Sequence, residues 1–288
     1  MKIAIYTKGG KYLTDEEMVL WGVLMTRYGV SCSVNSNGDA TFLQRAVSLG
    51  FEVYNNVSEL SEDTSFLISY GGDGTFLHSI EMLRELSIPI LGINSGRLGF
   101  LASVPREETE MAIKALLSGD YTIEKRPLME ITSKGETFYA FNEFTLQKST
   151  LSMINVQLLI GGEYVANYMA DGLIVSTPSG STGYSMSVGG AIIAPDCNCF
   201  IINPIAPHNL NMRPIIISDH SILELSAVSR EKGLLATMDN RWSEIENGVT
   251  FTVKKSSYNI ALVKLRNTSF YKTIREKLMW GMDAREIK

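Results

Sequence analysis

Histidine and cysteine are scarce in this sequence, with three of each among 288 residues. Cys32, Cys197 and Cys199 are odd in number, and Cys-Asn-Cys lacks the CxxC spacing of a thiolate metal or redox site. The histidines stand apart at 78, 208 and 220, so no metal-ligand cluster is expected. The thiols read as reduced and buried, as in a cytoplasmic protein. Long hydrophobic runs are missing too. No apolar stretch approaches the ~18 residues that span a bilayer, and the run in MKIAIYTKGGKY is too short for a signal peptide. Excess positive charge is also lacking. A net charge of -5 offers no overall attraction to nucleic acid or an anionic membrane, so neither is expected as a partner. What is present is ordinary for a globular chain: 45% hydrophobic and 20% charged residues, at a length that suggests about two domains.

The first half alternates strand and helix signals. KIAIYT reads as a strand. Thr14 and Glu17 form a capping box for a helix that lines up Met18, Trp21, Leu24, Met25 and Tyr28, with Gly29 placed as its left-handed cap. SFLISY (65–70) is a continuous apolar run typical of a buried parallel strand, and helical spacing follows from Thr75 to Leu86. IPILGIN is the next strand, and REETEMAIKALLSG (106–119) an amphipathic helix closed by Gly119. Such alternation predicts a Rossmann-like α/β domain, a parallel sheet covered on both faces, over residues 1–122. Beyond Tyr121 the texture becomes short β-rich segments split by Lys-Gly and Gly-Gly, which predicts an all-β sandwich domain over 123–266. Helical spacing returns at 267–280, with Phe270, Ile274, Leu278 and Met279 on one face. A lone helix after a β domain needs a partner, so it is expected to pack back on the first domain.

Three stretches stand out chemically. Gly71-Gly72-Asp73-Gly74-Thr75 joins a buried strand to a helix, where glycines let backbone N–H groups approach an anion and the helix N-terminus adds partial positive charge. Asp73 would repel a phosphate there, so its presence fits proton chemistry or a cation held beside phosphates. A plain tight turn with Asp73 as helix cap fits the same residues. Neither GxxxxGK[ST] nor GxGxxG occurs. LGINSGRLGFLAS (91–103) repeats the design at another strand end, and Asn142-Glu143 lies in a β context. Finally, ADGLIVSTPSGSTGYSMSVGGAIIAP (170–195) crowds Ser176, Thr177, Ser179, Ser181, Thr182, Ser185 and Ser187 around Gly180, Gly183 and Tyr184. Hydroxyls suit ribose and phosphate, and a ring suits a flat ligand. A GxSxG nucleophile elbow is not formed, which disfavours hydrolysis.

GGDGT at 71–75, NSGRLGFL at 94–101, Asn142-Glu143 and DGLIVSTPSGSTGYSMSVGG at 171–190, in this order, resemble the NAD kinase family. RPLMEI (126–131) and INPIAPHNLNMRPII (202–216) extend the likeness over nearly the whole chain. Gly183 stands where many members have alanine, and MDNRW (238–242) matches the family's Asp-Gly-Gln only loosely, which leaves Asp239 to Arg241 without a role. The resemblance implies transfer of the terminal phosphate of ATP, or of polyphosphate, to the adenosine 2′-hydroxyl of NAD, giving NADP, with Asp73 as general base. It implies NAD contacts from Asp73, Gly74, His78, Asn142, Glu143, Asp171, Ser179, Thr182, Gly183, Tyr184, Ser185, Met186, Ser187 and Ala206. The phosphate donor would lie on Gly71, Gly72, Gly74 and Thr75. No protein metal site is expected, because Mg²⁺ would arrive with the phosphates. A homodimer or homotetramer is implied as well. A lipid kinase shares the GGDG loop but would need an apolar groove, and a non-catalytic NAD sensor would have no use for Asp73.

Overall fold

The computed structural model describes residues 1–60, 63–83, 86–96, 99–231, 233–266 and 268–281. The chain divides into two compact units: one from residues 1–125 and 260–288, the other from 126–259. Residues 123–125 and 260–266, expected in the β-rich domain, therefore fall in the first unit.

The first unit is α/β. Its elements run β1 (Lys2–Tyr6), α1 (Asp15–Tyr28), β2 (Ser31–Asn35), α2 (Ala40–Ser48), β3 (Glu52–Tyr54), β4 (Thr64–Tyr70), α3 (Asp73–Leu83), β5 (Ile90–Asn94), β6 (Val104–Pro105) and α4 (Thr109–Ser118). The strands β5-β4-β1-β2-β3 lie side by side, all parallel. Chain order reverses between β1 and β4, the switch point where open α/β sheets leave a crevice at the strands' carboxyl ends. The loop 71–72 and the loop after Asn94 leave from that edge.

Local chemistry sets the helices. Thr14 Oγ1 accepts from Glu17 N–H while the Glu17 carboxylate accepts from Thr14 N–H at 2.7 Å, a complete capping box. Gly29 ends α1 at φ 62°. Met18, Trp21 and Leu24 are buried with Ile3, Ile5, Val34 and Phe42 in the core of this unit.

The second unit is β-rich, with β7 (Tyr121–Ser133) leading in, then β8 (Glu136–Ala140), β9 (Glu143–Lys148), β10 (Ile154–Ile160), β11 (Glu163–Ala170), β12 (Gly172–Ser176), the single turn α5 (Tyr184–Ser187), β13 (Cys199–Ile205), β14 (Ile215–Ser218), β15 (Leu223–Ser229), β16 (Leu234–Met238), β17 (Arg241–Ile245) and β18 (Thr250–Leu265). An antiparallel sheet β14-β13-β12-β9-β16-β17 faces the antiparallel set β11-β10-β15-β18, and Phe144, Leu146, Val156, Leu158, Leu173, Val175 and Leu225 fill the space between. This is the expected α/β plus β architecture.

The last six residues of β18 belong to the first unit, where Leu262 pairs parallel with Ile90. The terminal helix α6 (Phe270–Leu278) is in that unit too, with the Phe270 ring 6.4 Å from that of Phe100. Ile274 and Leu278 are half-buried as expected, but Met279 is exposed, because it adopts φ 52° and ends the helix. Only Cys32 of the three free thiols is buried; Cys197 is exposed and Cys199 half-buried, a correction to the sequence expectation. Cys199 opens β13, where its pairing begins, and Cys197 lies two residues before it. No helix among the described residues is long and apolar enough to cross a membrane.

Candidate functional site

Asp73 is the first residue of α3. It reaches across to the loop after β5: Oδ2 accepts from Phe100 N–H at 3.0 Å, and Oδ1 from Leu101 and Ala102 N–H at 3.0 Å each. Gly99 makes the approach close enough, since a Cβ there would stand 2.0 Å from Asp73 Oδ1. Gly71 is equally constrained; a Cβ would meet Thr75 Oγ1 at 2.5 Å. Gly71, Gly72, Asp73, Gly74, Thr75 and His78 thus gather at the N-terminal end of α3, with Thr75 buried and His78 half-buried. Lys277 Nζ lies 3.6 Å from Asp73 Oδ2 and 4.5 Å over the Phe100 ring, adding a cation from α6. Arg97 and Leu98 of the NSGRLGFL motif lie outside the described residues.

In the second unit Asn142 and Glu143 sit at the start of β9, both buried. The hydroxyl-rich segment holds this turn from one side. Thr177 Oγ1 donates to Phe141 O at 2.6 Å, Ser176 Oγ to Asn142 O at 3.2 Å, and Thr177 N–H to Asn142 O at 2.9 Å. Gly180 packs so tightly that a Cβ would meet Asn142 O at 2.2 Å. Several hydroxyls expected to be open to a ligand are therefore spent on the scaffold. Ser176 and Thr177 hold the turn, Ser181 Oγ bonds the Ile193 backbone, and Ser179 Oγ accepts from Arg126 at 2.9 Å.

Gly183 lies directly over the pair; a Cβ on it would be 3.2 Å from Glu143 Oε2 and 3.5 Å from Asn142 Nδ2. Tyr184 is 37% exposed, and burial first, then the charges of Asp171 and Glu143, push its phenol up. Asn142, Glu143, Asp171, Gly183 and Tyr184 are thus neighbours. The Asp171 carboxylate pairs with Lys148 Nζ at 2.6 Å, and Asp171 N–H bonds Ile205 O at 2.9 Å, which brings Ala206 alongside at φ 43°. Thr182 and Met186 are half-buried, Ser187 is exposed, and Ser185 is buried. Three of the ten buried side-chain polar atoms without a hydrogen-bond partner among the described residues are Asn142 Oδ1, Glu143 Oε2 and Ser185 Oγ. Buried polar groups are paired in the large majority of cases, so the Asn142–Glu143 pair is a socket with unused bonding capacity. Burial, followed by the charge of Asp239, pushes the Glu143 carboxyl up to about 8, with the Tyr184 backbone amide opposing.

Both halves match known family models. Residues 24–121 match the ATP-NAD kinase N-terminal domain and residues 141–265 the ATP-NAD kinase C-terminal domain. The chain belongs to the NAD kinase family. It is 39% identical over 293 residues to an NAD kinase of Flavobacterium psychrophilum, covering 99% of this chain and 100% of that one. An NAD kinase of Cytophaga hutchinsonii is 44% identical over 240 residues, 82% of each chain. Among solved structures, yeast NADH kinase complexed with NADH superposes with a TM-score of 0.87 at 22% identity, covering 100% of this chain and 90% of the other, and so shows the fold. An NAD kinase from Archaeoglobus fulgidus in complex with ATP gives 0.76 at 27% identity, over 97% and 99%. Membership in the NAD kinase family makes the chain a phosphotransferase and decides against the lipid-kinase reading of GGDG.

Proposed function

We propose that the protein transfers the terminal phosphate of ATP, or of polyphosphate, to the adenosine 2′-hydroxyl of NAD. The observation that carries this reading is the pair of orphaned buried acceptors on Asn142 and Glu143, beside the half-exposed ring of Tyr184. A ribose hydroxyl would donate to such acceptors, and a planar ring offers a wall for a base. Gly74, His78, Asp171, Ser179, Thr182, Gly183, Ser185, Met186, Ser187 and Ala206 complete the proposed NAD contacts, and Gly71, Gly72 and Thr75 the donor loop.

Asp73 is the proposed general base. Three N–H groups occupy its two oxygens, which together have about four lone-pair positions, so room remains for one hydroxyl. Phosphoryl transfer depends mostly on positioning and charge neutralisation, so a single carboxylate suffices as the base. Among the described residues no group of three or more His, Cys, Asp and Glu could hold a metal. The donor set suits a divalent ion that Mg²⁺–phosphate chemistry brings in, with Asp73 as the acid at hand; such an ion would neutralise charge on the transferred phosphate. A reducing cytoplasmic setting and a homodimer or homotetramer fit the free thiols and the family.

The test is to incubate pure protein with NAD, ATP and Mg²⁺ and assay NADP. Formation of NADP is expected, and 2′-deoxy-NAD should bind without reacting. Phosphorylation of the deoxy analogue would place the chemistry on another hydroxyl and overturn the reading.

A further inference from the structure

Asp239 is the first residue of the two-residue turn Asp239-Asn240 between β16 and β17, at φ 51°. Aspartate is among the few non-glycine residues that tolerate this left-handed region. Its carboxylate is buried and points at the neighbouring strand start. Oδ2 accepts from Phe141 N–H at 2.8 Å, and Oδ1 accepts from Asn142 N–H at 2.8 Å and Glu143 N–H at 3.2 Å. Asp239 N–H in turn donates to Glu143 O at 3.1 Å, so the two backbones are locked in both directions. We propose that Asp239 is a positioning residue: its carboxylate clamps the backbone of 141–143 and so aims the Asn142 and Glu143 side chains into their socket.

This rests on the proposed NAD site and deepens it. The clamp faces the scaffold hydroxyls of Ser176 and Thr177, which hold the carbonyls of the same turn. Every backbone group of the turn is thereby fixed, while the side-chain acceptors of Asn142 and Glu143 are left over. Asp239 has a second, electrostatic effect. Burial raises it, with the three N–H groups and Arg241 opposing. Of the two neighbouring acids, Asp239 holds three donors and so takes the negative charge, which leaves Glu143 protonated. The titratable groups around the pair are Arg241 beside Asp239, Tyr184 over Glu143, and Asp171 beyond Tyr184. A protonated Glu143 both donates and accepts, whereas an ionised one only accepts.

The test measures NAD affinity by calorimetry between pH 6 and 9 for wild type, Asp239→Asn and Glu143→Gln, together with Tm. Wild-type affinity should change through an inflection near the Glu143 value of about 8. Glu143→Gln should bind more weakly and lose the inflection. Asp239→Asn removes the charge and leaves one N–H without an acceptor. It should weaken NAD by about ten- to a hundredfold and move the inflection to lower pH. A purely structural role would weaken binding at every pH and leave the inflection in place, which would overturn the proposal. Unchanged affinity in Asp239→Asn, with Glu143→Gln weakened, would overturn it as well. Unchanged affinity in Glu143→Gln would instead remove Glu143 from the NAD site and overturn the reading beneath. Should Asp239→Asn not fold, hydrogen exchange on the wild type decides. Slow amides at 141–143 support the clamp, and amides exchanging like those of an open loop refute it.

Discussion

Asp73 and Asp239 each receive backbone N–H groups from three successive residues, Phe100 to Ala102 for one and Phe141 to Glu143 for the other. They lie in different units and use the same local device. They differ in what surrounds the carboxylate. Asp73 keeps 31% of its side chain exposed and has the Lys277 ammonium near it, so a ligand can still reach it. Asp239 is half-buried as well, but its carboxylate is enclosed enough that burial raises it, and Glu143 is its acidic neighbour. On the proposed reading, the same three bonds leave one acid available for chemistry and commit the other to architecture. What surrounds the carboxylate, and not the hydrogen-bond pattern, separates the two.

The strongest way to break the comparison is Asp73→Asn. Loss of a general base typically costs ~10²–10⁴ in rate, and kcat should fall by that much while NAD affinity holds. A near-wild-type rate would reduce Asp73 to a second purely structural clamp. Next is Gly99→Ala, whose new methyl would collide with Asp73 Oδ1 and must push the loop off the carboxylate. We expect kcat to drop at least tenfold, read by steady-state assay, with Tm lowered as well. Retained activity would mean the three N–H bonds are dispensable for the reaction.

Tyr184→Ala probes the ligand side. Base stacking on an aromatic ring is worth ~1–3 kcal/mol, so KM for NAD should rise about ten- to a hundredfold. Tm should hardly move, since emptying a core aromatic site would cost ~3–5 kcal/mol and this ring is 37% exposed. A fall in Tm with unchanged KM would make Tyr184 structural.

The raised Glu143 gives a pH signature. Its folded value of about 8 lies above the ordinary carboxylate range, so between the two the folded state binds more protons than the unfolded chain. Stability therefore falls as pH rises through that window. Chemical denaturation of Glu143→Gln should show a flatter dependence from about pH 4.5 to 8 than wild type. Equal slopes would mean Glu143 is ionised in the folded protein. The smallest effect belongs to Lys277→Met. A half-exposed pair at 3.6 Å contributes ~0–1 kcal/mol, so Tm should shift by a few degrees at most, and less in high salt.

Much of this was legible in residue order. The capping box at Thr14, the glycine caps at 29 and 119, and the apolar run of β4 are local signals, and the structure follows them. The strands β2 and β3 and the helix α2 carry no comparably distinct pattern in sequence. The site residues were individually visible, but their partners were not. Nothing in the neighbourhood of Asp73 announces that it bonds residues 27 to 29 positions ahead, and only Gly99 hints at a close approach there. Asp239 is a similar case. Its two-residue turn between the alternating strands LLATM and RWSEI signals a hairpin, yet the grip on Phe141 to Glu143 comes from sheet register, with Met238 opposite Phe144. The hydroxyls of Ser176, Thr177 and Ser181 misled in the other direction, because a hydroxyl bound to a backbone carbonyl looks the same in sequence as one awaiting a ligand.

The division of the chain also fixes an order of events at the ribosome. The second unit is one uninterrupted stretch, 126–259, while the first needs residues 260–265 beside Ile90 to finish its sheet. During synthesis, at ~5–20 residues per second, the β-rich unit has emerged whole before the earlier half can close. Until then the Ile90 end of β5 is an unpaired edge, the kind of surface that recruits other chains. Losing the last few dozen residues would therefore injure the beginning of the protein first.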